Sequence, residues 1–261
     1  MLQIHADNIY VDLPIYGGRS RSLKHALMRN PRLFGSAKRS ESRTGGVIEA
    51  EATGKVYVRA LDGVSFTLDE GDRVGIVGHN GAGKTTLLRV IAGIFEPVSG
   101  EMRVTGTVTP MFSLADGMDM EATGYENIWI RGQIIGCDRA FIADKIADIV
   151  EFCELGDFLH MPVRTYSAGM LVRLGFTIAT ALKPQILVMD EMIGAGDAAF
   201  FERARARLAA FIANAGILVV ATHNPDIIRT WCNKAMWLSH GKLAGFGEVG
   251  EVMDRFAAAS A

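Results

Sequence analysis

The stretch that decides the fold is Gly78-His79-Asn80-Gly81-Ala82-Gly83-Lys84-Thr85, which fits the pattern G-x-x-x-x-G-K-[ST]. It follows the apolar run Val74-Gly75-Ile76-Val77 and precedes a helical pattern from Leu87 to Ala92. In this context the glycines let backbone N–H groups turn towards phosphate oxygens, and the start of the helix adds partial positive charge. The sequence therefore predicts a phosphate-binding loop between a buried strand and a helix.

Three side chains at the end of this loop have predicted roles. Lys84 is placed to reach β- and γ-phosphates, the hydroxyl of Thr85 suits Mg²⁺, and Thr86 completes the predicted nucleotide site. The alternative is a glycine-rich turn that only joins a strand to a helix, and the full motif in this context makes that the weaker interpretation. Kinases, GTPases and motor proteins remain open at this point.

Two adjacent carboxylates supply the second part of the predicted site. The apolar run Ile186-Leu187-Val188-Met189 ends in Asp190-Glu191, at the edge where a parallel sheet presents its ligands. Because side chains alternate along a strand, the two carboxylates face differently and suit separate roles. We assign Asp190 to Mg²⁺ and Glu191 to the attacking water as general base.

The remaining pattern predicts an α/β fold. Near-continuous apolar runs recur at 186–189, 217–220 and 235–238, which is typical of strands covered by helices on both faces. Between about 124 and 182 the apolar residues follow helical spacing instead, so a helical subdomain is expected there. Residues 1–18 alternate as an early strand does, whereas 35–55 have the composition of a loop.

Length and composition limit the number of domains and the cellular compartment that we expect. With 261 residues, the chain has room for one α/β domain with an insertion. The mean hydropathy is +0.20, but no apolar run is long enough to span a membrane, and the N-terminal residues do not resemble a secretory signal. The three cysteines are too scattered for a disulfide framework or a zinc site. We therefore expect a cytoplasmic protein.

Residues 19–43 form a basic segment, with eight Arg or Lys against Glu41, although the whole chain has a net charge of -2. Leu23, Ala26 and Leu27 lie at helical spacing within it, until Asn30-Pro31 ends the pattern. One hypothesis is an amphipathic helix at an anionic membrane surface, and the other is a solvated insertion that happens to be basic.

A third motif identifies a family. Tyr166-Ser167-Ala168-Gly169-Met170, about twenty residues before Asp190, resembles the signature motif of ABC ATPases and is most similar to the variant in polysaccharide exporters. The similarity continues through Arg173-Leu174-Gly175-Phe176. Thr123-Gly124-Tyr125-Glu126-Asn127 resembles a further motif of that branch.

The resemblance implies roles for residues that spacing alone leaves undecided. Two copies are expected to pack head to tail, so that Ser167 and Gly169 of one copy close over the γ-phosphate bound by the other. His223 matches the family's switch histidine, which orients the γ-phosphate and water. Gly194-Ala195-Gly196-Asp197 resembles the D-loop, with Asp197 at the dimer contact.

Two positions depart from the family pattern. Most ABC ATPases carry a glutamine in the Q-loop, but neither Gln nor Glu occurs near Ser113-Leu114. The aromatic residue that stacks on adenine is also displaced. Val58-Arg59 occupy its usual place, and Tyr57 is the candidate.

The resemblance implies an ABC ATPase fold, an α/β core with a mainly parallel sheet and an antiparallel β edge from the first strands. We therefore expect a single ABC ATP-binding domain over residues 1–261, with a basic amphipathic insertion at 19–55 and a helical subdomain at about 124–182. The resemblance implies a homodimer that hydrolyses ATP with Mg²⁺ and joins two separate transmembrane permease subunits at the cytoplasmic face of the inner membrane. Its expected cargo is a lipid-linked polysaccharide, and no contact with nucleic acid is expected.

Three alternatives stay open. Within transporters, the chain could instead serve a drug or lipid exporter. Outside transport, it could be an ABC ATPase that acts on nucleic acid or ribosomes through the basic segment, although no tandem ATPase unit or long coiled coil is visible. A regulatory module without turnover is disfavoured by the presence of Glu191 and His223.

Overall fold

The computed structural model describes residues 1–14, 47–50, 56–112, 114, 117–181, 183–190 and 198–260. The chain divides into two compact units. The first comprises Met1–Thr105 and Val219–Ala261, and the second comprises Gly106–Leu218. The assignment of 1–261 to a single domain stays a prediction.

The strands are, in chain order, β1 (Gln3–Pro14), β2 (Val47–Ala50), β3 (Val56–Asp69), β4 (Arg73–Val77), β5 (Ser99–Thr105), β6 (Val108–Met111), β7 (Ile186–Asp190), β8 (Ile217–Ala221), β9 (Lys234–Ser239) and β10 (Lys242–Glu248). The helices are α1 (Lys84–Ile91), α2 (Gly124–Ile134), α3 (Arg139–Cys153), α4 (Ala168–Thr180), α5 (Ala198–Ala213), α6 (Pro225–Trp231) and α7 (Val249–Ser260). Two 3-10 helices, Gly156–His160 and Val163–Thr165, lie between α3 and α4.

An antiparallel sheet in the first unit has the strand order β2-β3-β1-β5. In β1 the apolar positions Ile4, Ala6, Ile9 and Val11 are at most 2% exposed, so the alternation in the sequence buries one face of the strand. The prediction of a continuous loop over 35–55 is wrong at Val47–Ala50. These four residues form β2 and pair with β3 from Val47 opposite Arg59 to Ala50 opposite Val56.

The parallel strand pairs within each unit confirm the predicted α/β fold with a mainly parallel sheet. In the first unit β4 pairs in parallel with β9, and β10 returns antiparallel along β9. In the second unit β6 pairs in parallel with β7. Every residue of β8 is buried, as are the first four residues of β7, as expected of strands with both faces covered.

The helices between 124 and 181 begin at side-chain caps that the sequence supplies. Thr123 and Glu126 form a reciprocal capping box at α2, Asp138 accepts from the N–H of Phe141 at α3, and Ser167 caps α4. These three helices occupy the range in which a helical subdomain is predicted. None of the helices among the described residues has the length and apolar character needed to cross a bilayer.

The basic segment 19–43 and its amphipathic helix lie outside the described residues. The same holds for Ser113, for Glu191 and for the D-loop residues Gly194–Asp197.

Candidate nucleotide-binding site

Glycine shapes the phosphate loop because two of its backbone positions have no room for a side chain. At Gly83 the backbone is left-handed, with φ 104°, and an added Cβ would lie 2.5 Å from the carbonyl oxygen of Ala60. At Gly78 an added Cβ would collide with the carbonyl oxygen of Leu238. The loop therefore folds tightly against β3 and the end of β9, in a conformation that other residues rarely adopt.

Lys84 is the first residue of α1, and its side chain turns back over the loop. The residue is 9% exposed, and Nζ donates to the carbonyl oxygens of Gly78 at 2.7 Å and His79 at 3.1 Å. A buried ammonium needs such partners because it has lost its hydration. The loop thus holds a positive charge at its centre.

The start of α1 supplies the other features that an anion requires. Its N-cap is Gly83, which offers no side-chain acceptor to the first N–H groups of the helix. Thr85 is half-buried and Thr86 is buried in this first turn. Ala82 is 1% exposed, whereas Asn80 and Gly81 are exposed at the tip of the loop. Helix-start N–H groups together with a lysine are suited to bind phosphate.

The His79 side chain contacts the turn between β9 and β10. Its Nε2 accepts from the backbone N–H of His240 at 3.3 Å, so Nδ1 carries the ring proton and donates to the carbonyl oxygen of Asn80 at 2.8 Å. The rings of His79 and His240 lie 4.5 Å apart between centroids. His79 therefore links the loop to a neighbouring turn.

The candidate metal residue ends one buried strand, and the candidate switch residue lies just beyond another. Asp190 is the last residue of β7 and is half-buried after four buried residues. His223 lies just beyond β8 and is exposed, directly before Asn224, whose side chain caps α6. The roles of Asp190 and His223 stay predictions, as does that of Glu191.

The signature motif lies at the N-terminus of α4. Ser167 is exposed, and its Oγ accepts from the N–H of Met170 at 3.3 Å. Gly169 has open space where a side chain would stand, with only Ser167 Oγ within 4 Å of the Cβ position. Tyr166 is buried instead, donates to the carbonyl oxygen of Phe158 at 2.6 Å, and has its pKa raised to about 12 by burial.

Tyr57, the candidate for stacking on adenine, is half-buried on β3. The guanidinium of Arg59 lies 5.7 Å from the centroid of its ring and 5.6 Å from that of Tyr10. Asp12 fixes the guanidinium through two hydrogen bonds of 2.9 and 3.1 Å. Arg59 is thus held between two aromatic rings, and a base-stacking role for Tyr57 stays a prediction.

Comparison of the sequence with known protein families identifies the family of this chain. The family model described as "ABC transporter" matches residues 61–194, which include the phosphate loop, the signature motif and the carboxylates Asp190 and Glu191. The chain belongs to the ABC transporter family. It is an ATP-binding and ATP-hydrolysing member of that family. Three of the predicted site residues lie outside the residues that the family model matches: Tyr57, Asp197 and His223.

Curated relatives carry the names of polysaccharide export systems. The chain is 47% identical to the O-antigen export system ATP-binding protein RfbE of Yersinia enterocolitica, over 90% of this chain and 93% of that protein. It is 38% identical to the corresponding RfbB of Myxococcus xanthus and 35% identical to the teichoic acids export ATP-binding protein TagH of Bacillus anthracis. Those matches cover 75% and 77% of this chain, but only 45% and 36% of the two longer proteins.

Solved structures show the same fold. An ATP-binding subunit of an ABC transporter superposes with a TM-score of 0.65 at 17% identity, covering 97% of this chain and 93% of that one. A dimeric ATP-binding cassette, in a post-hydrolysis state with ADP and phosphate, superposes with a TM-score of 0.62 at 18% identity over 94% and 98% of the two chains.

One motif of this ABC ATPase has a structural role that the sequence did not reveal. Asn127 is fully buried at the start of α2, and its amide donates to the carbonyl oxygens of Asp119, Ala122 and Thr123 while accepting from the N–H of Asp119. An added Cβ at Gly124 would collide with the hydroxyl of Tyr166. The motif Thr123–Asn127 thus fixes the loop before α2 and makes room for the signature tyrosine.

A second structural contact involves the region without the Q-loop glutamine. The buried guanidinium of Arg131 on α2 donates to the carbonyl oxygen of Leu114. The same oxygen leaves no room for a Cβ at Gly175 on the signature helix α4. Two helices of the second unit therefore contact the backbone at Leu114. The glycine in Arg173-Leu174-Gly175-Phe176 is the sequence signal for this contact.

Proposed function

We propose that this ABC ATPase drives export of a lipid-linked polysaccharide through separate membrane-spanning partners. The observation that carries the proposal is the 47% identity to an O-antigen export ATP-binding protein over 93% of that protein's length. The Thr123–Asn127 motif and the Tyr-Ser-x-Gly-Met form of the signature motif support the same branch. Drug or lipid export is the alternative that the experiment below distinguishes.

The proposed nucleotide site uses the phosphate loop for binding and the carboxylates for hydrolysis. Lys84 and the N–H groups at the start of α1 bind the phosphates. The hydroxyl of Thr85 and the carboxylate of Asp190 are the oxygen donors that Mg²⁺ prefers, and the ion would neutralise phosphate charge there. Glu191 takes a proton from the attacking water, and His223 orients that water and the γ-phosphate.

The proposed active assembly contains two copies of the chain. Ser167 and Gly169 of one copy then contact the γ-phosphate bound by the other, and Asp197 lies at the contact between copies. The exposure of Ser167 and the open space at Gly169 suit a surface that a second molecule covers. ATP binding closes the dimer, and hydrolysis opens it.

We also propose that the dimer joins two permease subunits at the cytoplasmic face of the membrane. The basic segment 19–43 would lie at the anionic interface, where each basic side chain near the surface contributes about 1 kcal/mol. Substrate contacts are expected in the permease.

The test replaces the chain in its own cells by the Glu191→Gln variant, with the parent chain as control. The variant keeps the phosphate loop but loses the general base, so purified protein should bind ATP while turnover falls about 10²-fold or more. In the cells, lipid-linked glycan should accumulate on the cytoplasmic side and surface glycan should fall. Normal surface glycan with inactive ATPase would refute polysaccharide export and favour another cargo.

A further inference from the structure

The turn between β9 and β10 holds the phosphate loop from outside the motif. The N–H of Gly241 donates to the carbonyl oxygen of Ala82 at 3.0 Å, and the N–H of His240 donates to Nε2 of His79 at 3.3 Å. The carbonyl oxygen of Gly241 in turn accepts from the N–H of Asp62 on β3 at 2.9 Å. Two successive residues of the turn thus bond to both ends of the segment that precedes Gly83.

The side chains reinforce this backbone contact. The rings of His240 and His79 lie 4.5 Å apart at an interplanar angle of 50°. Ser239 Oγ is 3.1 Å from Nδ1 of His240 and orients that ring. Both histidines are half-buried, so the contact is partly shielded from water.

The backbone of His240 is itself unusual. Its φ is 49°, in the left-handed region that residues other than glycine seldom adopt. Such a conformation costs free energy and persists where the surroundings determine it. Glycine would adopt it without strain, and the histidine ring contacts a residue of the nucleotide site.

We propose that His240 is a positioning residue for ATP binding. Through His79 it holds the phosphate loop in the shape that accepts phosphates before ATP arrives. In this proposal the His79 side chain links the loop to the turn. The loop then loses little conformational freedom on binding, which raises nucleotide affinity.

The first test uses His240→Gly. Glycine keeps the N–H that reaches His79 and removes both the ring and the left-handed strain, so the variant should be at least as resistant to urea as the parent. We expect its ATP affinity to fall about three- to tenfold, measured by titration with a fluorescent ATP analogue, because the ring contact is lost. Affinity equal to that of the parent would overturn the proposal. A purely structural role would instead lower stability and affinity together.

The second test compares two substitutions at His79. Gln places its oxygen near the position of Nε2 and can accept from the N–H of His240, whereas Asn is too short and retains only the contact that Nδ1 makes. We expect His79→Asn to raise the KM for ATP about five- to tenfold with little change in kcat, and His79→Gln to recover most of that loss. Equal KM values for the two variants would overturn the link through Nε2.

Discussion

Replacing Gly83 by alanine tests whether the shape of the phosphate loop determines activity, and Gly93→Ala is its matched control. Both glycines have left-handed backbones, with φ 104° and 71°, so each alanine costs about 1–2 kcal/mol of stability. At Gly93 the added methyl group meets nothing within 4 Å. At Gly83 it lies 2.5 Å from the carbonyl oxygen of Ala60. Both variants strain the backbone, and only Gly83→Ala adds the collision.

The magnitude of the effect on catalysis follows from that distance. A carbon atom and a carbonyl oxygen in contact normally lie at least about 3.3 Å apart, so the loop at Gly83 must move by nearly 1 Å. Gly83 is the N-cap of α1 and precedes Lys84, so the phosphate-binding N–H groups and the ammonium move with it. A displacement of about 1 Å in a catalytic site costs about 10²-fold in rate.

Two measurements separate these effects. Urea unfolding should show both variants to be destabilised, and steady-state ATP hydrolysis should be about 10²-fold slower only in Gly83→Ala. Excess MgATP should raise the unfolding midpoint of Gly93→Ala more than that of Gly83→Ala, since the displaced loop binds nucleotide more weakly. Equal hydrolysis rates in the two variants would refute the argument from loop geometry.

Four further predictions test other parts of the molecule. Lys84→Ala should weaken ATP binding at least about tenfold in a fluorescent titration, because it removes the charge that the loop buries, and unchanged affinity would contradict this. Asn127→Ala breaks four hydrogen bonds and should lower the free energy of unfolding by about 2–4 kcal/mol in urea, whereas a loss below about 0.5 kcal/mol would disprove the structural role. Burial raises the pKa of Cys232 to about 12, so mass spectrometry after iodoacetamide treatment should find the half-buried Cys137 alkylated before Cys232, and the reverse order would be inconsistent with the fold. The pKa of Tyr166 is raised to about 12 from 10, so its stabilising contribution is full below pH 10 and is lost between pH 10 and 12; stability measured at pH 9 and pH 11 should fall more in the parent than in Tyr166→Phe.

The fold was largely predictable because its signals are local. The phosphate loop is a contiguous motif, and strands such as β7 and β8 are continuous apolar runs that need no knowledge of their neighbours. The loop composition of 35–55 concealed β2, because a four-residue strand at the edge of a sheet depends on its partner more than on its own propensity. The roles predicted for Glu191 and Asp197 stay predictions, because both residues lie outside the described part of the chain.

The support around the site was less predictable because it depends on backbone atoms distant in sequence. His240 is 161 residues from His79, and what it offers is an N–H group that every residue except proline carries. Nothing in the composition of the β9–β10 turn indicates that the N–H is needed. The left-handed φ of His240 becomes visible only in the structure.

The Q-loop region likewise makes its contacts through a backbone atom, the carbonyl oxygen of Leu114. Every residue type carries a carbonyl group, so the contacts with Arg131 and Gly175 do not restrict which residue occupies position 114. The contacts restrict the residue types at positions 131 and 175 instead. Arg131 must donate from a buried guanidinium, and Gly175 can have no side chain. The absence of a glutamine near Ser113 therefore does not remove the connection between this loop and the signature helix α4. Among the described residues the connection runs through the carbonyl oxygen of Leu114, and substitutions at Arg131 and Gly175, rather than at Leu114, are the ones that would break it.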